Sequence, residues 1–155
     1  MCLVKASHRN GGNMINVVDF ICYNKEKWLT FEVWFWAAIY RWLILIVPAK
    51  KMKKYYGIMG EESLQVESKQ NYDKAWKISF HINRVSEHTP WESKCLVRAL
   101  TAQKLLKKQK ISSTLYLGVK KEGEKMVAHS WIRTGKFYLT GGDGKEYAIV
   151  AKFRI

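Results

Sequence analysis

The rhythm of apolar and polar positions changes twice along this chain. Residues 1–24 follow no period. From Trp28 to Val47 the sequence "WLTFEVWFWAAIYRWLILIV" is then almost continuously apolar, and Pro48 closes it. Twenty such residues predict one long helix, with the length needed to reach across a bilayer. Glu32 and Arg41 interrupt the run. At ~100° per residue they point about 180° apart, so they do not share a polar face. A helix this apolar either packs inside the protein or lies against a membrane surface. A true span is the least favoured reading, because a charge inside an isolated spanning helix is costly.

After a polar linker, Ala75, Ile78, Ile82 and Val85 recur at spacings of three and four, an amphipathic helical stripe with Trp76, Phe80 and His81 beside it. Pro90 stops that helix. Next comes "PWESKCLVRALTAQKLLKKQK", in which two helix starts compete. Thr89-Pro90-Trp91-Glu92 has capping-box form, with proline at the first helical position. Ser93 offers itself instead as the cap of a helix beginning at Lys94, which places Cys95 in the first turn. Leu96, Ala99, Leu100, Gln103 and Leu106 then line one face, leaving Lys104, Lys107 and Lys108 to reach solvent.

Beyond that helix the period becomes two. "ISSTLYLGV" puts Ser113, Leu115, Leu117 and Val119 on one side, and "MVAHSWIR" puts Val127, His129, Trp131 and Arg133 on one face. Turns at "KKEGEK", "TGK" and "GGDGK" connect these strands to "FYLT" and to "EYAIVAKFRI". In the last segment Tyr147, Ile149, Ala151, Phe153 and Ile155 share a face by strict alternation. Helices followed by an antiparallel meander predict an α+β fold.

Composition narrows the picture. The chain has 155 residues, 48% of them hydrophobic and 14% aromatic, enough for one packed domain with an appendage. Its net charge of +14, concentrated in "PAKKMKKYYG" and "KLLKKQK", suits an acidic peptide or an anionic membrane surface. No nucleic-acid recognition motif accompanies that charge, so nucleic acid is not the expected partner. Cys2, Cys22 and Cys95 form no metal-ligand spacing, and no cofactor is called for. Three cysteines and no signal peptide fit a reducing, cytoplasmic setting. Gly11-Gly12-Asn13 directly precedes Met14, and two glycine codons can spell a ribosome-binding sequence. Translation is therefore expected to begin at Met14.

One constellation has chemistry in it. A thiol nucleophile needs a base, and the base needs an orienting group. Free cysteine is mostly thiol at neutral pH, with a pKa of ~8.5, and a helix start favours its thiolate. Cys95 sits near such a start, His129 in a following strand, and Asp143 in a glycine-rich turn after the next. By type and order these are a cysteine, a histidine and a carboxylate. Each also has a plainer reading: a core cysteine, a packed histidine and a turn-forming aspartate.

The segments "KCLVRALTAQKLL", "STLYLGV" and "AHSWIRTGKFYLTGG" resemble the transglutaminase-like cysteine peptidases that process lasso-peptide precursors, the microcin-processing family. The pair His129 and Trp131 is typical of the wider fold, and "FEVWFWAAIYRWLILIVPAKKMKKYYG" is similar to the family's helical region. The resemblance covers roughly residues 28–155. It implies a papain/transglutaminase-like core with a nucleophile-bearing helix packed on an antiparallel sheet. The chain then divides into an irregular segment 1–24, a helical region 25–88 and a peptidase core 89–155. Carried over by position, Cys95 is the nucleophile, His129 the base and Asp143 the orienter, with Glu146 as its nearby rival. The resemblance implies removal of the leader from a ribosomally made lasso precursor. Its expected partners are that leader, a separate leader-binding protein and a lasso cyclase, with peripheral contact to the inner face of the membrane. An acyltransferase using the same triad and a non-catalytic, membrane-docked scaffold are the alternatives.

Overall fold

The computed structural model describes residues 26–89 and 94–155. Met14, Cys2, Cys22 and Trp91 lie outside the described residues. The long apolar run forms α1, Lys27–Ile46. It ends where Val47 turns extended, the conformation that a following proline imposes. Thr30, Val33, Ala37 and Tyr40 make its buried stripe. Glu32 ion-pairs with Lys108, and Lys104 lies 4.4 Å over the Trp36 ring, so α1 is tied to the helix that carries both lysines.

A short helix α2, Ala49–Met52, and a single 3-10 turn lead to a two-residue strand β1, Ile58–Met59. Helix α3, Lys69–Glu87, opens on Ser68, whose Oγ accepts the Asn71 N–H at 3.2 Å. That bond satisfies one of the unpaired donors of the first turn. Ala75, Ile78, Ile82 and Val85, the predicted stripe, are all buried. His81 is buried among them. Its Nδ1 lies 2.8 Å from Thr30 Oγ1, and its Nε2–H donates to Glu26 Oε2 at 2.8 Å, which joins α3 to the start of α1.

Helix α4 is Cys95–Lys108. It is buried more widely than the predicted stripe: Val97, Thr101, Ala102 and Leu105 are buried along with Ala99, Leu100, Gln103 and Leu106. The reason is position. α4 packs against α1 and α3 as well as against the sheet, so it meets protein on several sides.

The sheet has strands β2 (Thr114–Glu122), β3 (Lys125–Thr134), β4 (Phe137–Thr140) and β5 (Ala148–Arg154) in addition to β1. Their order is β1-β5-β2-β3-β4, and every pairing is antiparallel. The fold is therefore α+β, helices against a five-stranded antiparallel sheet. Leu115, Ile132, Leu139 and Phe153 face the helices and join Leu100 and Leu106 in one core.

Strict alternation fails in β5. Leu117 pairs with Ala151, but the next residue of β2, Gly118, pairs with Ile149. Val150 is the extra residue of a β-bulge, and a bulge reverses the facing of everything beyond it. Ala151 and Phe153 keep to the helix side, while Ile149 and Tyr147 turn to the opposite face. The single face expected for Tyr147 through Ile155 is thus split in two.

Candidate functional site

Cys95 is the first residue of α4, preceded by Lys94 in extended conformation (φ −59°, ψ 153°). The Lys94 side chain makes no capping bond. A helix start of this kind presents backbone N–H groups, with their partial positive charge, to whatever stands before it. The Cys95 side chain is half-buried and its thiol is free. The helix starts at Cys95 itself, one residue later than the Lys94 start with a Ser93 cap that the sequence offered, and Cys95 is in the first turn. Pro90–Ser93 lie outside the described residues. One turn along the helix, Arg98 donates from Nη2 to Asn83 Oδ1, a tie between α4 and α3.

His129 lies on β3, paired in register with Gly118. Its face of the sheet is the one that also carries Tyr116, Trp131 and Arg133, opposite Ile132 and the helices. Trp131 stacks on Tyr116 with centroids 5.5 Å apart, and the His129 ring packs against both Trp131 (5.9 Å) and Tyr147 (4.7 Å), which also meet each other at 6.2 Å. Gly118 is what allows Trp131 to lie across β2, for a Cβ there would stand 2.8 Å from the indole. The imidazole is therefore held in plane by aromatic rings. His129 Nε2–H donates to the Gly141 carbonyl oxygen at 2.7 Å. A carbonyl only accepts, so the ring carries its proton on Nε2 and leaves the Nδ1 lone pair available.

The two acidic candidates are placed elsewhere. Asp143 accepts the Lys145 backbone N–H at 3.3 Å and pairs with Lys145 Nζ at 2.8 Å, and these bonds hold its carboxyl below the ordinary range. Glu146 pairs with Lys120 Nζ at 3.0 Å, and Lys120 also holds Glu122 at 2.8 Å. Among the described residues, neither carboxylate is hydrogen-bonded to His129, and no hydrogen bond joins His129 to Cys95. A hairpin brings the "GGDG" turn back to His129 as expected, but it delivers a backbone carbonyl rather than the Asp143 side chain. The reason is local: Asp143 closes its own turn onto Lys145 two residues on. Ser130, next to His129, is buried on the helix side, and its hydroxyl has no partner among the described residues.

Two contributors to the site were missing from the sequence reading: Tyr147, which alternation assigned to the wrong face, and Gly141. The signal for Gly141 was present in the Gly-Gly pair after "FYLT", a backbone that needs positive φ. Among the described residues no group of three His, Cys, Asp or Glu side chains converges as a metal site would require.

The sequence model of the transglutaminase-like superfamily matches residues 43–152, more than two thirds of the chain. The chain belongs to this superfamily. No curated protein and no solved structure matches it significantly. The superfamily match begins in the last turn of α1, and it includes Cys95, His129 and the "GGDG" turn. Membership carries with it the chemistry of a thiol nucleophile, of cysteine-peptidase or acyltransferase type.

Proposed function

We propose that the protein is a cysteine peptidase that removes the leader from a ribosomally synthesised lasso-peptide precursor. The observation that carries this reading is Cys95 as the first residue of α4, inside the superfamily domain. The resemblance of the segments around Cys95 and His129 to lasso leader peptidases supports this choice within the superfamily. The reaction requires the Cys95 thiol, at the start of α4, to reach the sheet face that carries His129; there His129 takes the thiol proton at Nδ1, and the thiolate attacks the scissile carbonyl. The oxyanion is met by backbone N–H groups at the helix start. His129 then gives the proton to the leaving amine, which is the new N-terminus of the core peptide. The leader remains as a thioester on Cys95 until water, deprotonated by His129, releases it. A lasso cyclase consumes the freed amine. A separate leader-binding protein presents the precursor.

The protein works in the cytoplasm, at the inner face of the membrane. The outer stripe of α1 supports this: Trp28, Phe31, Phe35, Trp42, Leu45 and Ile46 are exposed opposite the buried stripe, and the exposed Lys50, Lys51, Lys53 and Lys54 follow.

The test combines the protein, a precursor and its leader-binding partner, and follows precursor mass. Loss of the leader with wild type, and none with Cys95→Ala, is the expected result. A mass gain from an added amine would assign acyl transfer instead. One observation favours a second reading, a non-catalytic scaffold for a maturation complex: no bond joins Cys95 to His129 among the described residues. Cleavage at an undiminished rate with Cys95→Ala, or no cleavage by either protein while the complex still assembles, would leave that reading standing.

A further inference from the structure

We infer that the third group of the catalytic site is the Gly141 backbone carbonyl, and that Gly141 is a positioning residue which no other amino acid can replace. This rests on the peptidase reading and deepens it.

Three independent observations carry the inference. The first is the bond itself, His129 Nε2–H to Gly141 O at 2.7 Å, a good length for N–H···O. It does for the ring what a carboxylate does in a triad: it selects one tautomer and one orientation. With the proton on Nε2, Nδ1 is the nitrogen left to act as the base. The second is the backbone at residue 141. Gly141 has φ +78°, where side chains are strained. A Cβ there would stand 2.5 Å from Ser130 O, 2.9 Å from Trp131 Cβ and 3.0 Å from His129 Nε2 itself. A side chain at 141 would therefore push on the ring nitrogen that the carbonyl must hold. The third is that both nearby carboxylates are engaged, Asp143 by Lys145 and Glu146 by Lys120. The Tyr147 and Trp131 rings then hold the imidazole plane. A neutral carbonyl orients the base without placing a negative charge beside it.

The tautomer is measurable without turnover. ¹⁵N-edited NMR of the full-length protein, at a pH where the His129 ring is neutral, should show Nε2 protonated and Nδ1 bare. A neutral ring protonated on Nδ1, or averaging between tautomers as a free imidazole does, would overturn the inference. Asp143→Asn and Glu146→Gln, singly and together, should leave the tautomer unchanged and leader cleavage within about twofold of wild type. A loss of about 100-fold or more in cleavage for either, with the fold intact, would give the third role to a carboxylate and sink the proposal. Gly141→Ala should release the ring into mixed tautomers and cost at least about tenfold in cleavage, in line with losing a partner that orients a functional histidine. If Gly141→Ala does not fold, the wild-type tautomer and the two carboxylate variants decide the matter alone. Absence of cleavage by wild type would instead defeat the peptidase reading, while the tautomer result would stand by itself.

Discussion

Arg133 shows how single residues share out the charge of this molecule. Its side chain is buried, donating from Nε to Tyr116 Oη at 3.1 Å and from Nη2 to Glu62 Oε2 at 3.1 Å. Glu62 also accepts from Lys152 Nζ at 2.8 Å. Lys152 above all, with Tyr116 and Arg133, holds the Glu62 carboxyl below its ordinary value despite the opposing cost of burial. A carboxylate with a lowered pKa stabilises the fold fully above the pH range where a free glutamate titrates. That contribution fades as the pH falls through the lower, folded-state value. Denaturant unfolding followed from neutral to acid pH should show wild type losing stability in this range. Glu62→Gln should lose less over the same range and start lower at neutral pH, by about 1–3 kcal/mol, since Arg133 is left buried with one charge-bearing partner fewer. At this scale the candidate site was half legible. Cys95 and His129 are visible by type and order, because a thiol and an imidazole announce their chemistry. Gly141 acts through its main chain, so its identity in the sequence shows only the freedom to adopt positive φ, not the use made of the carbonyl.

The elements divide sharply in how much of their surface they bury. α4 is buried along most of its circumference, and Leu100 at its middle is fully buried. Leu100→Ala should therefore cost about 2–5 kcal/mol, read from the shift in denaturation midpoint, because α4 is pinned between α1, α3 and the sheet and cannot collapse into the gap. α1 is the reverse case. One stripe packs inward, and on the opposite stripe Trp28 remains 77% and Trp42 67% exposed. The double substitution of Trp28 and Trp42 by serine should leave folding stability within about 0.5 kcal/mol. If the outer stripe docks on lipid, the same variant should lose co-sedimentation with vesicles rich in anionic phospholipid. Wild-type binding should weaken with added salt, because lysine contacts to the headgroups are screened. Salt-independent binding, or none, would remove the membrane from the proposed location. Periodicity in the sequence identified both helices correctly, but it could not say how many sides of each would be covered. That depends on how many neighbours a helix has, which spacing within the helix does not encode.

At the scale of the whole molecule, the surroundings of His129 arise because two irregularities meet on one face of the sheet. The bulge at Val150 turns Tyr147 toward His129, and the turn after β4 brings the Gly141 carbonyl to the ring. Deleting Val150 should restore alternation in β5 and return Tyr147 to the helix side. The expected outcome is loss of the His129–Tyr147 ring contact, seen as a shift of the His129 ring proton resonances as the aromatic ring current is removed. Unchanged His129 shifts in a folded variant would mean that the bulge does not position the ring.

The sequence alone determined the class of fold, the order of the main helices and strands, and a cysteine and a histidine as candidates for the chemistry. Those depend on local periods, on proline and glycine punctuation, and on residue type, all of which are written along the chain. Tertiary structure decided which group partners the histidine, which face Tyr147 occupies and which side of α1 stays bare. Each of these is settled by register between strands or by the number of neighbours around an element. A single extra residue in β5 reverses a face, and a carboxylate closing its own turn leaves a backbone oxygen in its place.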